Sequence, residues 1–540
     1  MSRNALCVGV LLLMGSMEAQ AQLPDWLWAR KGGVDGNGLI EKTATDAAGN
    51  VFVCGYFGSS ALLGTIQLNA VGSDDGFVAK LDPSGNWLWA VSMGSTDVDD
   101  VTGLVVDADG DAYVTGLHYG DMTIGDTTLA VDGTADMFIA KIDGSGNWIW
   151  AIDAAGQGNS IGTDVALGAN GALYVCGTMD GQGEVFGPDT IPATGFAALL
   201  LLRLDVNGNW QWVDTMRLDG YGTFTGLAYS NGEGVVAVGE FYGTLYTAND
   251  TILSGPTRKA LIAVVDTMGT DQWAWHTSGT SASFATDVVV DGFGRIFLVG
   301  AAGIGTAVVG DSTFVVSDAG DGLVVRVSPN GFWDWSRRSN GTGNEVIEEV
   351  AVLPDGQVIL AGAFRDGDLL LGALSETNAG GSDAFVAGIS TTGNWLLVRK
   401  SMGAGDENCY GIVSSDVGNI YVGGGYSGEA VFGSDTLTAA GSQDVYVAKL
   451  GVIGTTIQST DPASFTPVLV QDGSGSVLHG LSDGITNVRV TDASGRIVFQ
   501  RTGTAIGGRM TLGALDLSVG AFLIQVQQGE QHATLKLVAR

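Results

Sequence analysis

GNWIW at 146–150 has close copies at 85–89 (GNWLW), 208–212 (GNWQW) and 393–397 (GNWLL). The thirteen tryptophans fall at 26/28, 87/89, 148/150, 210/212, 273/275, 333/335 and 395. With the first of each group as the marker, the intervals are 61, 61, 62, 63, 60 and 62 residues. In the last copy Leu397 replaces the second aromatic. Self-similarity at a fixed period of this size marks a chain built from repeated supersecondary units.

Two further segments keep the beat. One set is GNVFVCG (49–55), GDAYVTG (110–116), GALYVCG (171–177), GEGVVAVG (232–239), GRIFLVG (294–300), GQVILAG (356–362) and GNIYVGG (418–424). The other is DGFVAKLD (75–82), DMFIAKID (136–143), ALLLLRLD (198–205), ALIAVVD (260–266), DGLVVRVS (321–328), DAFVAGIS (383–390) and DVYVAKLG (444–451). Each copy reads as four short strands. In the second these are 103–107, 112–116, 137–143 and 148–152, separated by the turn-forming DADGD and DGSGN. Seven such copies predict an all-β, seven-bladed β-propeller over 22–452. A β-helix normally has shorter repeats. A string of separate four-stranded domains would bury little and would need linkers, which are missing between the copies.

Strand periodicity gives the tryptophans a role. Residues i and i+2 project to the same face, so Trp148 and Trp150 leave their blade together and fill the space between stacked blades. Burying one such ring is worth roughly 4–6 kcal/mol at about 25 cal/mol/Å², before entropy. A solvent-facing aromatic platform for sugars is the functional alternative, but a binding site need not recur in every copy. The order of the markers also predicts closure. A Trp strand comes first, and the last repeat ends without one, so residues 24–30 are expected to supply the outermost strand of the seventh blade.

Composition bounds the rest. The 540 residues include 85 Gly and 9 Pro, are 45% hydrophobic and carry a formal charge of -34. That content suits many strands joined by tight turns and is too apolar for a disordered chain. The charge repels nucleic acid and anionic lipid, which excludes both as partners; solubility is its plain meaning. Cys7 lies in the apolar amino-terminal segment, leaving Cys54, Cys176 and Cys409, an odd number read as small buried apolar residues without a disulfide framework.

Arg3, the apolar run 5–15 and Ala19-Gln20-Ala21 read as a signal peptide over 1–21, with the mature chain starting at Gln22. Cys7 sits inside the apolar run, which argues against a lipoprotein anchor. No later segment reads as a transmembrane helix, since the best candidate, 196–204, is interrupted by Arg203. After Leu450 the beat stops. Residues 453–465 read as a linker. Residues 466–540 contain six basic and five acidic residues, so this near-neutral segment is a separate domain, a small β-sandwich. Hairpins are expected at 487–500 and 521–540.

The repeat D-x-x-G-N-x-Y-V-x-G followed by D-x-F-V-A-K-L-D, seen at Asp46–Gly55 and Asp75–Asp82, resembles the secreted bacterial β-propeller repeat family of SBBP type, over about 24–452. The fourth copy departs most, with an extra residue in GEGVVAVG and no acidic-aromatic opening to ALIAVVD. The family brings no shared catalytic residues. Val488 to Asp492 with Gly495-Arg496, then Leu515 to Ser518, Gly520 to Phe522 and Leu535 to Val538 resemble the C-terminal sorting domain of the type IX secretion system of Bacteroidota, although its usual Asn-Pro is missing. That resemblance implies export across both membranes to the cell surface or medium, with the secretion machinery as a partner. Cleavage of this domain commonly accompanies export. A plain accessory sandwich is the alternative.

No catalytic, cofactor-binding or metal-binding residues stand out. Of four histidines only His118 and His276 lie in the repeats, in different copies. No His-x-x-x-His, Cys-x-x-Cys or supported Gly-x-Ser-x-Gly appears. Asp107, Asp109 and Asp111 alternate like the start of a calcium loop, but Gly110 comes too early and no terminal Glu follows; a turn explains them more simply. Two functions remain. One is a secreted or surface-displayed binding or structural protein that presents a propeller face to a glycan or protein. The alternative is an extracellular glycan-active enzyme, which would need acidic side chains from different blades to converge at the channel mouth.

Overall fold

A computed structural model describes residues 25–451, apart from 231–233, 318, 355 and 417, and the strands of 468–539. The expected signal peptide over 1–21 and linker over 453–465 lie outside the described residues. The described residues are all-β apart from one 3-10 turn at Ala169–Gly171. It divides into two compact units, 22–454 and a unit holding 455–540.

In the larger unit one antiparallel pattern recurs seven times among the described residues. The inner strands are Gly38–Thr45, Asp99–Val106, Ser160–Leu167, the second half of Trp210–Ser230, Ser283–Val290, Asn344–Val352 and Glu407–Ser414. Each pairs with a second strand, that with a third, and that with an outer strand carrying the tryptophans. The outer strand of the seventh sheet is the amino-terminal one: Trp26–Gly32 runs antiparallel to Val445–Leu450. Inner strands touch in succession, and the seventh returns to the first. The core is correspondingly divided into seven apolar clusters, one at each junction. The cluster at the last junction joins Tyr421, Val445 and Val447 to Ile40, Val51 and Leu81.

Register decides what the tryptophans do. The second Trp of each pair faces the residue just before the end of the third strand: Trp89 faces Lys80, Trp150 faces Lys141 and Trp335 faces Arg326. In four sheets its indole N–H donates across the junction to the next sheet's turn: Trp89 to Gly144 O (3.1 Å), Trp150 to Val206 O (3.1 Å), Trp212 to Thr267 O (3.1 Å) and Trp335 to Thr391 O (3.0 Å). The glycine of that next turn lies against its ring. A Cβ on Gly146, which has φ +90°, would sit 3.0 Å from Trp89. GNW thus joins one sheet's outer strand to its predecessor's indole. Trp150→Phe keeps the ring but leaves Val206 O without its donor, and should lower unfolding free energy by about 1 kcal/mol in a urea titration.

One expectation needs correction. Trp273 faces Val264, the position of Trp212 opposite Arg203, so it is the second member of its group. By sequence alone it reads as the first, because W-x-W matches W-x-W. With the structural register, the second positions 28, 89, 150, 212, 273, 335 and 397 are spaced 61, 61, 62, 61, 62 and 62. The uneven 63 and 60 disappear, Asp271 stands where the other sheets have their first Trp, and Trp275 lies beyond the pair. The inner strand of the second copy also starts earlier than the alternation suggests, at Asp99 instead of 103.

The turns at one end are uniform. Asp46 Oδ1 accepts from the N–H groups of Ala48 and Asn50, and Asn50 Nδ2 donates back to Asp46 Oδ2 at 2.7 Å. Asp82/Asn86, Asp143/Asn147 and Asp205/Asn209 repeat this geometry. D-x-x-G-N is therefore a self-satisfied turn. At the other end the second and third strands are joined by extra hairpins, such as Met122–Ile124 with Thr127–Leu129. These lie within the connections that the four-strand reading left as loops, because three-residue strands are too short to show alternation.

The second unit holds two antiparallel sheets. Val468–Asp472, Gly475–His479 and Arg509–Gly513 form one; Ile497–Ala505, Gly484–Asp492, Gly520–Gln528 and Gln531–Ala539 form the other. Both expected hairpins are present. No described helix is long and apolar enough to cross a membrane. The apolar run near 200 is the strand Ala198–Leu204, with Arg203 Nη1 donating to Thr267 O at 3.0 Å.

Candidate functional site

Every inner strand carries a register shift at the same height. A bulge turns two successive side chains towards one side, here the interior of the cycle. The residues just after the shift are Lys42, Gly103, Asp164, Gly226, Asp287, Glu349 and Gly411. The glycines make room for their neighbours. A Cβ on Gly226 would lie 2.8 Å from Asp287 Cα, and one on Gly103 would lie 2.9 Å from Asp164 Cα. The carboxylates reach forward to the next inner strand. Asp164 accepts from Leu227 N (2.8 Å), Asp287 from Val350 N (2.9 Å) and Glu349 from Ile412 N (3.2 Å).

Lys42 enters this layer from the first sheet and reaches the fifth and sixth. Its Nζ is 3.6 Å from Asp287 Oδ1 and 3.3 Å from Glu349 Oε1. Burial pulls the lysine pKa down, but Asp164, Asp287 and Glu349 outweigh it and hold the ammonium well above its ordinary range. Burial pushes Glu349 up and Asp164 to about 6, against the pull of Lys42. One ammonium serves three carboxyl groups, so the layer keeps carboxyl protons to higher pH than isolated acids do.

A second acidic layer lies nearer the hairpin end. Glu41 and Glu348 occupy the shifted position itself, and Asp100 comes one residue before the shift on the second sheet. Burial pushes Glu41 and Glu348 to about 7, and their mutual repulsion adds to the rise at Glu348. Burial, then the Glu41 charge, drive Asp100 well up. Tyr410 is raised to about 12 by burial and then by Glu348 and Glu41. Glu41 of the first sheet therefore lies close enough to Asp100 of the second and to Glu348 of the sixth for its charge to act on both. None was singled out from sequence, because no motif marks them; aligning the seven inner strands would have shown them at one height.

The residues considered from sequence lie elsewhere. Asp107 is a turn residue: its Oδ1 accepts from Asp109 N and Asp111 N, and Lys141 Nζ lies 3.5 Å from Asp107 and 3.0 Å from Asp111. A lysine ammonium sits where a calcium ion would have to be. Among the described residues no group of three or more His, Cys, Asp or Glu is arranged to hold a metal. His118 is buried, with Nδ1 2.8 Å from Gly120 O and Nε2 3.9 Å from Asp153. His276 lies in the fourth sheet, with Nδ1 2.6 Å from Thr277 O. Cys54, Cys176 and Cys409 are free and buried.

No family model matches the chain. Over 382 residues it is 26% identical to the regulatory protein FlaEY of Caulobacter vibrioides, a match covering 65% of this chain and 39% of that protein. Over 154 residues it is 24% identical to the WD repeat-containing protein L264 of Acanthamoeba polyphaga mimivirus, covering 25% of this chain and 11% of that one. Among solved structures, a mutant puromycin hydrolase in complex with PGG aligns with a TM-score of 0.38 at 10% identity, covering 85% of this chain and 59% of the other. A mutant of the Synechocystis apocarotenoid oxygenase aligns at 0.37 and 12%, covering 77% and 93%. The repeated all-β sheets and the WD-repeat relative together describe a propeller-like repeat protein.

Proposed function

We propose that the chain is a seven-bladed β-propeller that serves as a secreted or surface-displayed binding protein, exported by a type IX secretion system through residues 466–540. The observation that carries binding is the difference between the two ends. The five-residue turns at one end keep the same backbone bond, from Asp46 N to Asn50 O through Ser415 N to Asn419 O, whereas the hairpin end varies from sheet to sheet in length and side chains. A rigid scaffold with one variable loop end is the usual arrangement for recognition. The ligand is a glycan or a protein, met at the hairpin end and the adjoining acidic layer. Export rests on the signal-like amino terminus and the sorting-domain resemblance.

The convergence of Glu41, Asp100 and Glu348 favours a second reading, a glycan-active enzyme. Acid–base glycoside chemistry pairs a carboxyl group held protonated with one kept ionised, and Glu41 or Glu348, raised by burial, suits the first role. One experiment separates the readings: thermal melting of residues 22–465 against a polysaccharide panel, with soluble sugar assayed in parallel. Binding predicts a rise in melting temperature with one polymer and no sugar release; saturation at one hundred times Kd adds about 2.7 kcal/mol. Sugar release that is lost in Glu348→Gln would establish the enzyme. Export is tested in a type IX-competent host. The chain should reach the medium or surface starting at Gln22, and deletion of 466–540 should retain it in the periplasm.

A further inference from the structure

Six outer strands place a tryptophan opposite the last residue of the third strand: Trp26, Trp87, Trp148, Trp210, Trp333 and Trp395. Each packs on the glycine at the tip of its own sheet's hairpin. A Cβ on Gly64, Gly125, Gly187, Gly310, Gly372 or Gly433 would come within 3.2 Å of that tryptophan. The fourth sheet breaks both halves of the contact. Asp271 takes the tryptophan position, and the hairpin turn there is Thr247-Ala248-Asn249-Asp250, with no glycine. A cleft of about 550 Å³ lies in this place, lined in part by Met216, Asn249, Asp250, Leu253, Asp271 and Trp275.

The charge of the neighbouring strand changes in step. Two residues beyond the second tryptophan position stand Arg30 and Arg337 in the seventh and fifth sheets. Arg337 Nε donates 2.8 Å to Gly393 O of the next sheet. The third sheet has Asp214 there. The corresponding groove between the seventh and first sheets contains Arg30 and Lys31 beside Trp87. The cleft on the fourth sheet has no lysine or arginine in its walls.

Asp271 is 8% exposed. Its Oδ2 accepts from Ala248 N at 2.6 Å, which explains one oxygen as a cap on the 247–250 turn. Its Oδ1 is buried without an N–H or hydroxyl donor, as is Oδ2 of Asp214, whose carboxyl hydrogen-bonds that of Asp271 when protonated. Burial and then the Asp271 charge push Asp214 up to about 6. Trp275 is 48% exposed on the same cleft. A pair of carboxyl groups beside an open indole, in a cleft whose walls carry His276 but no lysine or arginine, is a setting suited to a cation.

We propose that this cleft binds a primary ammonium group carried on an alkyl chain, with Asp271 Oδ1 as its acceptor and Trp275 as its aromatic wall. A compact ammonium brings three donors and the missing positive charge. A neutral sugar could supply donors but not charge. The ammonium has two natural sources, a lysyl side chain of a protein partner or a free polyamine. The site lies where outer strands meet the fourth sheet's hairpin turn, apart from the acidic interior, and it names a ligand chemistry that the glycan or protein reading does not.

The test uses the full chain and saturation-transfer NMR with four probes: Nα-acetyl-lysine methylamide, its Nε-acetylated form, putrescine and methyl glucoside. An amine should bind in about the millimolar range expected of a single ammonium group. Asp271→Asn and the half-exposed Trp275→Ala should each weaken it at least about tenfold, with thermal melting of each variant confirming the fold. Preference for the lysine derivative identifies a protein-borne group, and preference for putrescine a free polyamine; either supports the proposal. Absence of amine binding, equal binding of the acetylated form or the glucoside, or indifference to both substitutions in folded variants would overturn it.

Discussion

A chain starting at residue 36 is expected to lose the cooperative unfolding of the 22–454 unit and to aggregate. Residues 26–35 lie far in sequence from their partners, yet Trp26 faces Leu450, Ala29 faces Ala448 and Val34 faces Ala61. Trp28 and Val34 are buried in the cluster that links the last sheet to the first. Asp435 and Asp444 anchor the segment through Ala29 N (2.8 Å) and Val34 N (2.9 Å). Removing it takes away more than a core Trp→Ala change, which alone costs about 3–5 kcal/mol. That is a large part of the 5–15 kcal/mol by which a domain is typically stable. It also bares the edge of Asp444–Leu450, a template for pairing between chains. The measurement is amide exchange with mass spectrometry. Peptides covering 444–450 should lose protection first, and a synthetic 22–35 peptide should restore it. Unchanged protection there in the truncated chain would show that closure does not depend on this strand.

How much of this was legible depends on whether a residue's neighbours are close in sequence. The D-x-x-G-N turns were readable because Asp46 and Asn50 satisfy one another within five residues. The hairpin at 487–500 was readable for the same reason. The place of Trp273 was not. Two W-x-W patterns look alike, and only pairing with Val264 tells first from second. That one misplacement hid the absence of tryptophan at 271 and with it the cleft. The acidic interior was hidden in another way. Glu41, Asp100 and Glu348 come from strands tens to hundreds of residues apart, and among 58 acidic residues nothing local distinguishes them. Lys42 was equally silent, though a lysine between apolar positions of an inner strand, Ile40 and Ala44, was a signal that a buried partner exists.

Lys42→Met should destabilise the larger unit by about 3–5 kcal/mol at pH 8, the range found when one partner of a buried ion pair is removed. The methionine fills similar space, so the cost is electrostatic: Asp164, Asp287 and Glu349 keep their backbone contacts but lose the ammonium. The pH dependence identifies the cause. Asp164 has a folded-state pKa of about 6 against an ordinary 3.8, so the native state holds its proton more tightly than the unfolded chain. Its contribution to stability is fully present below about 3.8 and is lost as pH rises through about 6. Without Lys42, which lowers both, the Asp164 and Glu349 carboxyls move further in the same direction. The deficit of the variant should therefore be largest in alkaline solution and shrink on acidification, as these groups take up protons. Urea titrations of both proteins at pH 5 and pH 8 measure it. A deficit equal at the two pH values would mean that lost packing, not uncompensated charge, accounts for the effect. Adding Asp164→Asn, Asp287→Asn and Glu349→Gln to Lys42→Met removes the surplus charge and should recover most of the loss at pH 8, since neutral replacement of a buried ionic group is often tolerated where removal of one partner is not.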